Sequence, residues 1–391
     1  MPATSPRSTL NSLTIIVAIQ WIGATLGLPL LPLFLEHRGG TPSVIGFIMA
    51  AFFVAGIVTQ FFLGHLPDKF GRRPVLIAGL VAYGIASATY LLPISAPWFA
   101  LTRAVQGSAA GAVEVATFSA VAALFPEKER GRAVSRILAA QLLGIAVGPL
   151  LGSLASVKDL GWAFLATGVA SLLASSQAVR ANLGDKAFDP TPLPKLQWNS
   201  QIIGAVFAAI SSGLAIGVYE ACWTLLMHAR HASTLQIRLS WTFFAIPWVA
   251  LSPLGGWLGD HGNRRYIALA GMLSSAFFLS LYPHFASPNT LLIVGPIESI
   301  GAALSVPSIQ SLLTEGAENR ELSRRQGISS TANTAALAGS AAVSGVLFSR
   351  AHSLPFTAIA LLSASCALST FWWWRHTKGN LNSPRRERTN A

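Results

Sequence analysis

Charge is what this chain has least of. Asp, Glu, Lys and Arg make up 11% of its 391 residues, against about 25% in ordinary soluble domains. Hydrophobic residues make up 52%, and the mean hydropathy is +0.54. A soluble core could not hide that much apolar surface, so the natural solvent is a lipid bilayer. Cysteine is nearly absent. Cys222 and Cys366 both lie in apolar runs at no metal-ligand spacing, which argues against a disulfide framework and a metal site. Enzyme signatures are missing too. There is no phosphate-cradling G-x-x-x-x-G-K-[ST], no G-x-S-x-G turn and no paired metal ligands, so neither ATP-driven pumping nor catalysis is expected, and no cofactor.

The charge that is present is lopsided. The net charge is +12, which by itself would suit a nucleic-acid binder. Its distribution does not, because no basic face is interleaved with polar surface. The great majority of the 27 lysines and arginines fall on one side of the apolar runs. That is the positive-inside pattern, and it places both termini in the cytoplasm. The polar stretch Met1 to Thr9 is followed by an apolar run too long for a signal-peptide core, so that run reads as a retained first span.

A helix needs about 20 apolar residues to cross the hydrocarbon. Runs of that length lie at 10–35, 43–66, 74–94, 97–124, 131–155 and 160–180, and again at 200–228, 235–259, 264–285, 288–314, 326–350 and 354–375. The expectation is an all-α membrane protein of twelve transmembrane helices. A six-helix bundle would occupy 1–180 and a second one 200–375. A proline-containing cytoplasmic linker at 181–199 would join them, and a basic cytoplasmic tail would fill 376–391. Trp372, Trp373 and Trp374 beside Arg375 suit an interfacial aromatic anchor.

One dense charge cluster separates the second and third runs: Gly64, Leu66, Asp68, Lys69, Gly71, Arg72 and Arg73. A weaker copy follows the eighth run, with Gly256, Leu258, Asp260, Arg264 and Arg265 matching in register. There His261 holds a basic position, and Asn263 replaces the glycine as a residue that tolerates left-handed backbone. Asp68 would sit at the carboxyl end of a helix, where the helix dipole disfavours an anion. It should therefore face another element, such as the start of the eleventh run near Gln326 and Gly327. Arg72 and Arg73 can add charge-assisted bonds. The bland alternative is that these arginines only fix topology. Mixed charge also precedes the fifth run (Glu127 to Arg132) and the eleventh (Glu318 to Arg325).

Two six-span halves, each with a charged elbow after its second span, resemble the major facilitator superfamily, whose loop signature G-x-L-x-D-[RK]-x-G-R-[RK] the first elbow matches. The resemblance covers nearly the whole chain. It implies two pseudo-symmetric bundles around a central cavity with alternating access. It also implies a conformational latch at Gly64, Asp68, Gly71, Arg72 and Arg73 that favours the outward-facing state. A weaker counterpart would join Asp260, with Arg264 and Arg265, to the start of the fifth span. In the fourth run Arg103, Gln106 and Gly107 resemble a motif tied to proton coupling in drug–proton antiporters. In the fifth, Gly144, Gly148, Pro149 and Gly152 resemble the G-x-x-x-G-P-x-x-G stripe of antiporter members.

Ionisable residues inside spans are costly and are functional candidates by default. Arg103 and Glu114 are about three turns apart on one helix and so share a face. Glu220 and Glu298 are the other carboxylates within spans, and ionised carboxylates are costly in a low dielectric, so all three are candidate proton carriers or cation ligands. Gln20 and Trp21, Tyr219 and Trp223 beside Glu220, and the aromatics Trp241, Phe244 and Trp248 are candidates for a cavity wall. Each has a structural alternative as a packing or hydrogen-bonded group. His228 and His231 read as a solvated external loop.

The expected function is proton-coupled secondary export of small molecules, driven by the proton gradient, from a bacterial inner membrane. The expected partners are a small-molecule substrate, protons and lipid, with no nucleic acid, and the chain is expected to act as a monomer. The alternatives are a sugar or metabolite importer of the same scaffold and a transport-dead sensor.

Overall fold

A computed structural model describes residues 6–63, 66–152, 160–181, 183, 198–315 and 319–375. Gly64, the Asp68 side chain, most of the expected linker and the expected tail at 376–391 lie outside the described residues. Among the described residues, twelve helices are long and apolar enough to cross a membrane. In chain order they are α1 (Pro6–His37), α2 (Pro42–Phe62), α3 (Arg72–Leu91), α4 (Ala96–Leu124), α5 (Glu129–Leu151) and α6 (Leu160–Arg180). The second set is α7 (Ser200–Ala229), α8 (Thr234–His261), α9 (Arg264–His284), α10 (Pro288–Thr314), α11 (Arg324–Phe348) and α12 (Leu354–Arg375). The described residues contain no strand. That follows from the solvent: lipid offers no hydrogen bonds, so each span must satisfy its own backbone.

Local chemistry sets several helix starts. Asn199 accepts from Ile202 N–H ahead of α7, and Ser233 forms a reciprocal capping box with Gln236 at α8. Gly71 precedes α3 at φ 88°, a backbone angle that glycine adopts freely. The expectation that Asn263 reproduces this geometry is not met. Its φ is −84°, and its side chain accepts from Arg265 N–H, so the asparagine acts as a helix cap instead.

The two halves repeat one packing plan. In the first, α1 packs on α5 and α6, α4 on α2 and α3, and α3 on α6; in the second, α7 packs on α11 and α12, α10 on α8 and α9, and α9 on α12. Small residues allow the close approaches. A Cβ at Gly148 would sit 2.8 Å from Ile22 O and 2.9 Å from Thr25 Cβ, so the glycine stripe of α5 is the seat of α1. Thr25 Oγ1 donates to Gly144 O at 2.8 Å across the same contact.

Between the halves the packing is uneven. Helices α2 and α11 make a long contact, whereas α5 and α8 touch less. At the end carrying the α1–α2, α7–α8 and α11–α12 connections, one apolar core takes residues from both halves, among them Leu31, Phe34, Ile45, Val218, Leu226 and Phe348. Thr224 Oγ1 donates to Pro29 O at 2.6 Å there, and the Ser43 and Ser349 hydroxyls bond at 2.9 Å. Gly46 lies against Ala341 and Gly345. At the other end the core divides. One cluster, with Leu13, Leu80 and Ile137, belongs to the first half alone, and another, with Ala208, Met272 and Leu312, to the second alone. The bundle is thus sealed at one end and parted at the other.

Two further expectations change. Trp374 is buried, donating its indole N–H to Gln201 O at 3.1 Å and packing on Gly204, so it fills the α7–α12 seam rather than anchoring an interface. Trp372 stays exposed, with the Arg375 guanidinium 5.8 Å from its ring. His228 belongs to the end of α7 rather than to a loop, and its Nδ1 lies 3.6 Å from Glu36 Oε2 across the sealed end.

Candidate functional site

A cavity of about 310 Å³ lies between the halves. Its wall is drawn mostly from α1, α2 and α4, with Gln141 of α5, Glu220 of α7 and Thr334 and Leu337 of α11 closing it. Of the residues singled out in the sequence, it brings together Gln20, Trp21, Arg103, Glu114 and Glu220. Glu298 is not in this wall, nor are Tyr219, Trp223, Trp241, Phe244 and Trp248.

Arg103 is held but not neutralised. It is 4% exposed, and its guanidinium carbon stands 4.2 Å from the centre of the Phe52 ring. That geometry is a cation–π contact. One terminal nitrogen donates to Gln106 Oε1 at 3.4 Å, and Gln106 is fixed in turn by Ser87 Oγ at 3.0 Å and the Tyr90 hydroxyl at 3.3 Å. Among the described residues the Arg103 Nε has no hydrogen-bond partner. Among the described residues no carboxylate lies within 4.0 Å of the guanidinium. Glu220 faces it from the other half, close enough to interact electrostatically. The close approach of α4 to α2 depends on Gly107, where a Cβ would sit 2.9 Å from Phe52 Cα.

The two cavity carboxylates differ. Glu114 is exposed to the lumen, and its Oε2 accepts from Gln60 Nε2 at 3.0 Å. Glu220 is half-buried and sits on the π-helical turn Tyr219–Trp223 inside α7. Such turns inside α-helices are frequent at functional sites. Gln20 is buried, and its Oε1 accepts from Ser171 Oγ at 2.7 Å, leaving its amide end for the wall.

The aromatic residues of α8 pack away from this space. Phe244 lies 6.4 Å from the Tyr219 ring centre, and Trp241 packs against the shared core. Trp223 is buried and donates to Ser240 Oγ at 2.8 Å.

Two of the elbow arginines make bonds inside their own halves. Arg72 is buried and its Nε donates to Ser119 Oγ at 3.0 Å. Arg264 donates to Gly259 O at 2.8 Å and to Asp260 Oδ1 at 2.9 Å.

Sequence reasoning missed Phe52 and Gln60, which touch Arg103 and Glu114. Gln60 carried a usable signal, as a lone amide deep in an apolar run. It also missed Arg238 as a buried residue. That arginine is 1% exposed, five positions into α8, where a positive charge reads as flanking.

The family model for the Major Facilitator Superfamily matches residues 13–200 and again 201–391. A chloramphenicol resistance protein of Pseudomonas aeruginosa is 35% identical over 162 residues, covering 41% of this chain and 38% of that protein. Multidrug resistance protein 2 of Bacillus subtilis is 26% identical over 163 residues, covering 42% and 41%. Quinolone resistance protein NorA of Staphylococcus aureus is 22% identical over 217 residues, covering 54% and 56%. The chain therefore matches only 38% to 56% of the length of these relatives. Among solved structures, a bacterial homologue of the human lysosomal transporter Spinster, in an inward-facing and occupied conformation, superposes with a TM-score of 0.76 at 13% identity, covering 95% of this chain and 98% of that one. A D-xylose–proton symporter gives 0.75 at 16% identity, covering 93% and 96%. At such identities these two matches speak to the fold alone.

Proposed function

This chain belongs to the Major Facilitator Superfamily, and from that premise we propose that it is a proton-coupled exporter of small molecules that works by alternating access. The observation that carries the reading is the cavity between the halves, which holds Arg103, Glu114 and Glu220 while one end of the bundle is sealed and the other parted. The parted end carries the arginine-rich starts of α3, α9 and α11. Under the positive-inside rule that end faces the cytoplasm, so this arrangement loads cargo from inside a bacterial inner membrane. Glu114 and Glu220 would take up and release protons in competition with cargo, and Arg103 would couple the two events through its unmatched charge. Export rather than import is supported by the resistance functions in the names of the relatives.

The test uses inside-out vesicles and two probes taken from those names, chloramphenicol and a quinolone. Adding either should move protons in the wild type. Glu114→Gln and Glu220→Gln should each abolish or greatly slow that movement, and Glu298→Gln should impair it. Wild-type coupling in all three variants would remove these carboxylates from the mechanism.

A further inference from the structure

The second half holds a carboxylate that the cavity does not reach. Glu298 of α10 is 1% exposed. Three hydroxyls converge on it. Tyr219 of α7 and Ser275 of α9 each donate to Oε1 at 2.7 Å, and Tyr282 of α9 donates to Oε2. No cationic nitrogen lies within 4.0 Å of it among the described residues. Tyr219 is the first residue of the π-helical turn, and Glu220 is the second. Successive side chains on a helix point about 100° apart. One of the pair therefore reaches into the second half, to Glu298, while its neighbour faces the cavity and Arg103.

We propose that Tyr219 is a positioning residue that fixes Glu220 against Arg103 by tying the π-helical turn to Glu298. A π turn is a local insertion in the helix, so it can re-register without moving the rest of α7. An ionised carboxylate accepts from all three hydroxyls. A proton on Oε1, the oxygen that Tyr219 and Ser275 share, leaves it one lone pair for two donors, so one of the two gives up its bond or turns to accept the acid O–H. Release of Tyr219 frees the turn, and the occupancy of a proton on Glu298 is thereby felt at Glu220. The purpose of this tie rests on the proton-coupling reading above, but the geometry stands without it.

The test therefore reads geometry and not transport. Purified protein is treated with a hydrophobic carbodiimide, which reacts with protonated carboxyls, and labelling of Glu220 and Glu114 is followed by mass spectrometry across pH. Tyr219→Phe and Glu298→Gln should each change the Glu220 labelling rate at fixed pH by about threefold or more, with the same sign, and the double variant should change it no further than either single one. Glu114, held by Gln60, should label as in the wild type. Ser275→Ala removes a donor from Glu298 but leaves the turn tied, and should keep the wild-type Glu220 profile. Unchanged Glu220 labelling in Tyr219→Phe, additive effects in the double variant, or an equal change in Ser275→Ala would each overturn the proposal. Altered labelling in variants that still move protons normally would sink the coupling reading and leave the tie intact, and the reverse result would do the opposite.

Discussion

Replacing Gly46 by leucine perturbs the sealed end of the bundle at one identifiable contact. A Cβ there would stand 2.6 Å from Ala341 O and 2.9 Å from Gly345 Cα, both on α11. The neighbours are backbone atoms of a packed helix, so they cannot swing aside. Overpacking of this kind costs about 1–3 kcal/mol. The cost is confined to the arrangement in which α2 and α11 touch, since these helices must separate when that end opens. At about 1.4 kcal/mol per factor of ten, the sealed population should fall roughly 5- to 150-fold relative to the open one. Ser43 and Ser349, whose hydroxyls are 2.9 Å apart, provide the readout. In a background with Cys222 and Cys366 replaced, the pair Ser43→Cys and Ser349→Cys should form a disulfide quickly under mild oxidation, scored by loss of maleimide-reactive thiols. Adding Gly46→Leu should slow that closure by at least about fivefold. Cross-linking at the parental rate, in protein that elutes as a folded species, would refute the assignment of this contact as state-specific.

The α1–α5 seam gives a second prediction. Gly148→Val should lower the thermal unfolding midpoint and the yield of folded protein, because its side chain meets Ile22 and Thr25, whereas Gly131→Ala, whose Cβ would meet nothing beyond its own helix backbone within 4 Å among the described residues, should be tolerated. A third concerns Trp374. Trp374→Phe keeps most of the buried ring but loses the bond to Gln201 O, and should destabilise the protein by about 1 kcal/mol in a reversible unfolding assay.

The sequence by itself determined that this chain lives in lipid, that it crosses twelve times, and that it is built as a doubled half. Those properties are set by composition, run length and the repeated elbow, all of which are local. Arg103, Glu114 and Glu220 were legible for a related reason: a charge inside an apolar run is so costly that it stands out one residue at a time. The glycine stripe Gly144, Gly148 and Gly152 was also visible in the sequence as a smooth surface, although only the fold shows that α1 is what sits on it. Tertiary structure decided which of the buried carboxylates share a space. Glu298 and Glu220 look alike in sequence, yet one is caged by three hydroxyls and the other faces Arg103. It also decided that Trp374 turns inward, that Phe52 covers Arg103, and that the bundle is sealed at the Gly46–Gly345 end. The physical reason is common to all of these. Nearly every span is apolar on all sides, so periodicity cannot tell a lipid-facing side from a helix-facing one. Orientation is set by which backbones come close enough to touch, and those contacts join residues tens to hundreds of positions apart.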